Sequence, residues 1–242
     1  MRYLIDFSYD GSGFNGYQKQ KNKRTVQEDI EKVLTNINNA EVTICSSGRT
    51  DKGVNALHQK AHFDLNKKIA CYKLKGALNS YLPDDIYIND VSFVDDNFHA
   101  RYMVKSKTYE YKISTNAYNP IQRTHVFQYG KKLNIRKMKK AIKYFKGTHD
   151  FTTFASAEDK RENKTRTIDK VYINNNKGII TIGFVSKGFL KYQVRNMVGV
   201  LIKVGEEKIK PEKVKDLFIK KDRRCAYLCA PAEGLTLKTV EY

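Results

Sequence analysis

Apolar residues alternate with polar ones at the start of the chain. In "RYLIDFSYD" Tyr3, Ile5, Phe7 and Tyr9 fall on one face, and that period of two predicts a strand. The period then changes. "TVQEDIEKVLTNINN" places Val26, Ile30, Val33, Leu34 and Ile37 at helical spacing, and Thr25 with Glu28 three residues on makes a capping box that starts the helix. Strands are expected next at "EVTICSS" and "LHQKAHFDL", a short helix at "YKLKGALNSYL", and a strand at "DIYINDVSF", with Leu82-Pro83-Asp84 as the break before it. "HARYMVKSKTYEYKIS" reads as one long β segment.

Beyond that segment the pattern begins again. A strand is expected near "THVFQY", a helix at "NIRKMKKAIKYF", strands at "TRTIDKVYI" and "GIITIGFVS", and a long helix at "LKYQVRNMVGVLIKVG". A short helix from Pro211 and a final strand "LTLKTVEY" complete the chain. The order predicts an α+β protein of two sheet-and-helix halves, 1–105 and 106–242, with no Gly/Ser- or Pro-rich linker between them. The 242 residues suffice for a sizeable core. No run is apolar enough to span a membrane, and "MRYLIDFSYD" does not read as a signal peptide, so a cytoplasmic protein is expected.

Charge adds a partner class. Lys and Arg number 45 against 26 Asp and Glu, a formal net charge of +19, which favours a polyanion, nucleic acid above all. The abundance of Asn and Ile points to a compositional bias that also inflates lysine, and weakens that inference. The four cysteines are scattered and read as reduced thiols, since no second Cys or His cluster completes a tetrahedral site. His58 and His62 lie four apart on an expected strand, which holds them about 13 Å apart at roughly 3.3 Å per residue and disfavours a shared metal.

Gly11, Gly13 and Gly16 spell a G-x-G-x-x-G after a strand, the lettering of a dinucleotide site. That motif must open a helix, and here the helix waits until Thr25 behind the basic stretch "YQKQKNKR"; a cationic loop near a phosphate backbone fits better. In "SSGRTDKGVNALHQ" Asp51 stands between Arg49 and Lys52. Asp51-Lys52-Gly53 suits a surface turn, and the same surroundings suit a carboxylate that must stay ionised in a pocket. Tyr109 is either core or a platform for an unstacked base, and Arg195, at the border of an apolar helix stripe, either snorkels to water or meets a carboxylate. The lysines of the Asn134–Lys146 helix are a solvated face or a phosphate contact.

Taken in order, "YDGSGFNGYQKQ", "TVQEDIEKVL", "GRTDKGVNA", "FHAR", "KTYEY", "GTHDFTTFAS", "VRNMVG" and "APAEGLTL" resemble the motifs of the tRNA pseudouridine synthase A family, nearly end to end. The resemblance implies a pseudouridine synthase fold with its active-site cleft where the halves join, and isomerisation of uridine to pseudouridine at positions 38 to 40 of the tRNA anticodon stem-loop. It places Asp51 on the catalytic aspartate and Tyr109 on the active-site tyrosine. Arg195 falls on the arginine that pairs with the aspartate, and Arg49 on an arginine that holds the extruded nucleotide. It implies a homodimer and neither cofactor nor metal. Three departures stand out: Asn55 where His is usual, Tyr17 where many members have Trp, and "LKYQ" before "VRN". A non-catalytic RNA-binding protein on the same scaffold, a paralogue with a shifted RNA target, and a nucleotide-dependent enzyme using the Gly-rich loop are the rival readings.

Overall fold

A computed structural model describes all 242 residues. In chain order its elements are β1 (Arg2–Tyr9), α1 (Val26–Asn38), β2 (Cys45–Ser46), β3 (Asn55–Asp64), α2 (Cys71–Tyr81), β4 (Ile86–Phe93), β5 (Ser106–Ser114), β6 (Phe127–Gln128), α3 (Ile135–Ile142), β7 (Gly147–Asp150), β8 (Thr165–Ile168), β9 (Lys170–Asn176), β10 (Ile179–Ser186), α4 (Gln193–Gly205), α5 (Lys213–Lys220) and β11 (Leu235–Glu241). The mixture of sheet and helix agrees with the α+β class. No helix is long and apolar enough to cross a membrane. The chain forms two compact units: Met1–Lys105 with Thr236–Tyr242, and Ser106–Leu235. The terminal strand, expected from chain order in the second half, therefore belongs mostly to the first. Its parallel pairing of Thr236 with Asn55 and Leu237 with Ala56 is a long-range contact that local periodicity does not reveal.

In the first unit β1 lies between β3 and β4, antiparallel to both, with Ile5 opposite Ala61 on one side and Val91 on the other. The expected alternation holds: Tyr3, Ile5, Phe7 and Tyr9 are all buried, as are Val26, Ile30 and Leu34 of α1 and Leu74 and Leu78 of α2. Thr25 caps α1 by accepting the Glu28 N–H. The strand expected over "EVTICSS" shrinks to Cys45–Ser46. Side chains of α1 take the backbone donors that a ladder would use: Val42 N–H donates to Thr35 Oγ1 at 3.1 Å, and Ile44 N–H to the buried Glu31 carboxylate at 3.1 Å.

In the second unit β10 is central, antiparallel to β5 and β9, with Ile182 opposite both Tyr111 and Ile173. The long β segment expected from His99 begins only at Ser106, because the Tyr102 and Met103 N–H groups turn back to the His99 carbonyl. "TRTIDKVYI" divides into β8 and β9 at Asp169, whose N–H goes to Val185, and β8 pairs instead with β7, a strand the sequence pattern did not show. In "THVFQY" only Phe127 and Gln128 pair, parallel to β5. Eleven of the thirteen residues of α4 are buried, which makes it the central helix of this unit. It starts at Gln193 rather than Leu190, after Tyr192 adopts a left-handed φ of 64°.

Candidate active site

Asp51 is half-buried in the loop between β2 and β3, and its neighbours are braced on two sides. On the strand side, Gln59 of β3 is fully buried; its Oε1 accepts the Ser47 hydroxyl at 2.6 Å and its Nε2 donates to the Gly48 carbonyl at 2.9 Å. The Ser47 N–H donates to Lys60 O at 2.7 Å. On the other side stands the glycine loop. Tyr17 N–H donates to Thr50 O, and the Tyr9 and Thr50 hydroxyls share a buried hydrogen bond of 2.8 Å. Burial pushes the Tyr9 phenol up to about 12, so it stays protonated beside the loop.

The glycines of G-x-G-x-x-G find their use here. A Cβ on Gly11 would come within 2.1 Å of the Val54 carbonyl oxygen. Gly16, at φ 96°, lies against the Thr50 carbonyl and the Lys52 N–H. The loop thus packs its backbone directly on the segment that carries Asp51. Asn55 joins the two by accepting the Gly11 N–H at 2.8 Å, and is 4% exposed. Tyr17, another departure from the family pattern, is 2% exposed against Phe7, and burial raises its phenol well above the ordinary value. Both departures are packing positions. Arg49, in the same loop, is exposed.

Tyr109 and Arg195 are held in the second unit. Tyr109 sits on β5 opposite Phe184, is 9% exposed, and meets the Phe189 ring edge to face at 5.3 Å. Arg195 lies in the first turn of α4, half-buried. Its Nε donates to Ala230 O at 2.7 Å, its own carbonyl accepts the Ala230 N–H, and the Tyr192 ring lies 5.1 Å from the guanidinium carbon. Those contacts hold the guanidinium group in place. The rest of "RNMVG" explains itself. Asn196 donates to Phe154 O and accepts from Arg223, and a Cβ on Gly199 would strike Leu228 O at 1.8 Å, so α4 and the chain before Ala230 are in backbone contact. In "APAEG" Pro231 O accepts the buried Tyr111 hydroxyl, and Gly234 leaves room for the Tyr111 ring.

One cluster was not legible in the sequence. Cys45 Sγ and ring nitrogens of His62 and His99 lie within 4.8 Å of one another, the spacing of a metal site. His62 comes to Cys45 through the β2–β3 register, and His58 pairs with Asp6 instead. The imidazoles are already engaged: His62 Nδ1 accepts the Ala100 N–H, and His99 Nδ1 accepts from Arg101 and Tyr102. That fixes the tautomer that points His99 Nε2–H at Cys45 Sγ, 3.7 Å away. Burial raises the Cys45 thiol and lowers His62, and the positive charge of Arg2 bears on both. The cluster is a hydrogen-bonded group of packed side chains.

Comparison with known proteins agrees with these motifs. A family model described as tRNA pseudouridine synthase matches residues 7–103 and 141–242. Two proteins named tRNA pseudouridine synthase A, from Streptococcus pneumoniae strain P1031 and from S. pneumoniae serotype 4 strain TIGR4, are each 40% identical over 245 residues, covering 100% of this chain and 98% of their own. A solved chain from a Cbf5-Nop10-Gar1 complex aligns with 83% of this chain and 54% of its own at 12% identity and a TM-score of 0.34, too loose a likeness to carry an argument. Both blocks of the family model include the braced loops described above, and the chain belongs to the tRNA pseudouridine synthase family.

Proposed function

We propose that this tRNA pseudouridine synthase acts on the anticodon stem-loop, at positions 38 to 40, with Asp51 as the nucleophile. The reaction breaks the bond from ribose C1′ to uracil N1 and joins C1′ to C5 of the same base; the C5 proton is lost and N1 gains one. Nothing is oxidised and nothing is added, so a carboxylate can carry the covalent step and the isomerisation calls for no cofactor. Arg195 keeps Asp51 charged in the RNA-bound enzyme, Tyr109 packs against the uracil, and Arg49 steadies the space the extruded nucleotide vacates. Extrusion costs a few kcal/mol, recovered by contacts to the flipped base and the backbone. The protein works in the cytoplasm as a homodimer.

The observation that carries this reading is the two-sided bracing of the Asp51 loop, by Gln59 and Ser47 on one side and the glycine loop on the other. A turn that served only to reverse the chain would need no such support. Burial of Asn55 and Tyr17 supports packing roles for both rather than contact with RNA. The third departure, "LKYQ", keeps a shifted RNA target open as a second reading, since Lys191 is exposed and Tyr192 lies under Arg195.

Position mapping tests the proposal. Unmodified tRNA transcripts carrying uridines at 38, 39 and 40 are incubated with the enzyme, treated with a carbodiimide and copied by reverse transcriptase. Stops one nucleotide before those positions are expected. Stops elsewhere in the tRNA would contradict the anticodon-arm assignment.

A further inference from the structure

We propose that the exposed face of α3 is a docking strip for the phosphate backbone of the tRNA, outside the nucleotide that reacts. The inference rests on the reading of the protein as a tRNA-modifying enzyme and adds a surface to it. Arg136, Lys139 and Lys140 of α3, and Lys143 in the 3-10 turn that continues it, are all exposed and lie at intervals of three, one and three residues, so they share one helical face. Met138, Ala141 and Ile142 are buried on the opposite face. Lys131 and Lys132 precede the strip, and Lys146 follows it, all exposed.

None of the four has an ion pair. The acid that reaches this helix is Glu207, and it binds Lys137 on the flank. Like charges three and four residues apart destabilise a helix, and Arg136 in the first turn opposes the helix dipole, which favours Lys139 and Lys140 in the last turn. No acid of α3 relieves that repulsion. A polyanion laid along the strip would.

The strip also runs in a useful direction. At its start the Asn134 N–H donates to Gly205 O at 2.8 Å, and Met138 packs where a Cβ of Gly205 would be, so α3 begins at the C-terminal end of α4. At its far end Phe145 packs on Phe154 at 5.2 Å between ring centres, and Phe154 O accepts from Asn196 in the first turn of α4. The basic face therefore passes antiparallel along α4 towards the turn that holds Arg195. Ten residues separate Arg195 from Gly205, about 15 Å at 1.5 Å per residue, a span that covers several phosphates of one strand.

The test is the salt dependence of tRNA binding by the full-length protein. A quadruple variant, Arg136→Gln, Lys139→Gln, Lys140→Gln and Lys143→Gln, is compared with a control that loses the same charge at the scattered, exposed Lys67, Lys73, Lys170 and Lys177. The strip variant should bind at least about tenfold more weakly at 100 mM salt, with the slope of log K against log salt shallower by about 2.8 to 3.6. Its loss should fall on KM rather than kcat, and Lys139→Gln or Lys143→Gln alone should each lower the slope by about 0.7 to 0.9. The control should behave as wild type. Equal weakening by both quadruple variants, or an unchanged slope in the strip variant and both single variants, would overturn the proposal. Absence of tritium release from C5-labelled tRNA by the wild type would instead count against the catalytic reading, whatever the slopes.

Discussion

Asn55 shows how one buried side chain positions the acid. Its Oδ1 accepts the Gly11 N–H at 2.8 Å in a site closed to water, and Gly11 in turn rests on Val54, three residues after Asp51. Asn55→Ala leaves that N–H buried without its acceptor and should cost about 1 to 3 kcal/mol, read as a fall in the urea midpoint at unchanged m. An unaltered midpoint would show that the loops do not depend on this bond. The glycine motif itself was visible in the sequence, and its failure to open a helix disfavoured the dinucleotide reading. Its actual use was hidden, because close approach of Gly11 and Gly16 to residues about 40 positions away leaves no local signature. The same holds for Asn55 and Tyr17, which stood out as departures from a pattern before burial showed them to be packing residues.

Long elements were legible where one period dominates: β1 and α4 bury the stripes that their spacing predicts, and α1 buries Val26, Ile30 and Leu34 while Val33 and Ile37 are half-buried. Shorter ones were not. Val42 and Ile44 look like a strand, yet their N–H groups are taken by Thr35 and Glu31 of α1, and β7 was missed because four residues give too little pattern to read. The C-terminal end of α4 yields a prediction at this scale. Burial of the Glu206 carboxylate opposes its ionisation, but Lys203, Lys208 and the Tyr129 hydroxyl more than offset that and hold it down to about 2. A carboxylate whose folded pKa lies below its unfolded value stabilises the fold above the unfolded pKa, and that stability is lost as pH falls towards the folded one. Glu206→Gln should therefore destabilise the protein by about 1 to 2 kcal/mol at pH 7, a figure discounted for partial solvent screening. The deficit should close as pH drops from about 4.5 towards 2. A deficit that stays constant in urea titrations across that range would assign the effect to packing instead.

For the whole molecule, membership of the tRNA pseudouridine synthase family rests on motifs that run from the first strand to the last. Their order was readable because each carries a tight geometric demand: glycines at backbone contacts, Asn196 tied to two loops, and Arg195 locked to Ala230. The return of β11 to the first unit was not readable, since it depends on pairing between residues some 180 positions apart. The central claim concerns one side chain. The direct measurement is single-turnover tritium release from tRNA labelled at uracil C5, with wild type and Asp51→Asn, alongside tRNA binding by both. Asp51→Asn should bind tRNA within a few-fold of wild type and release no label above background. Release by Asp51→Asn at a rate comparable to wild type would show that the Asp51 carboxylate is not the nucleophile.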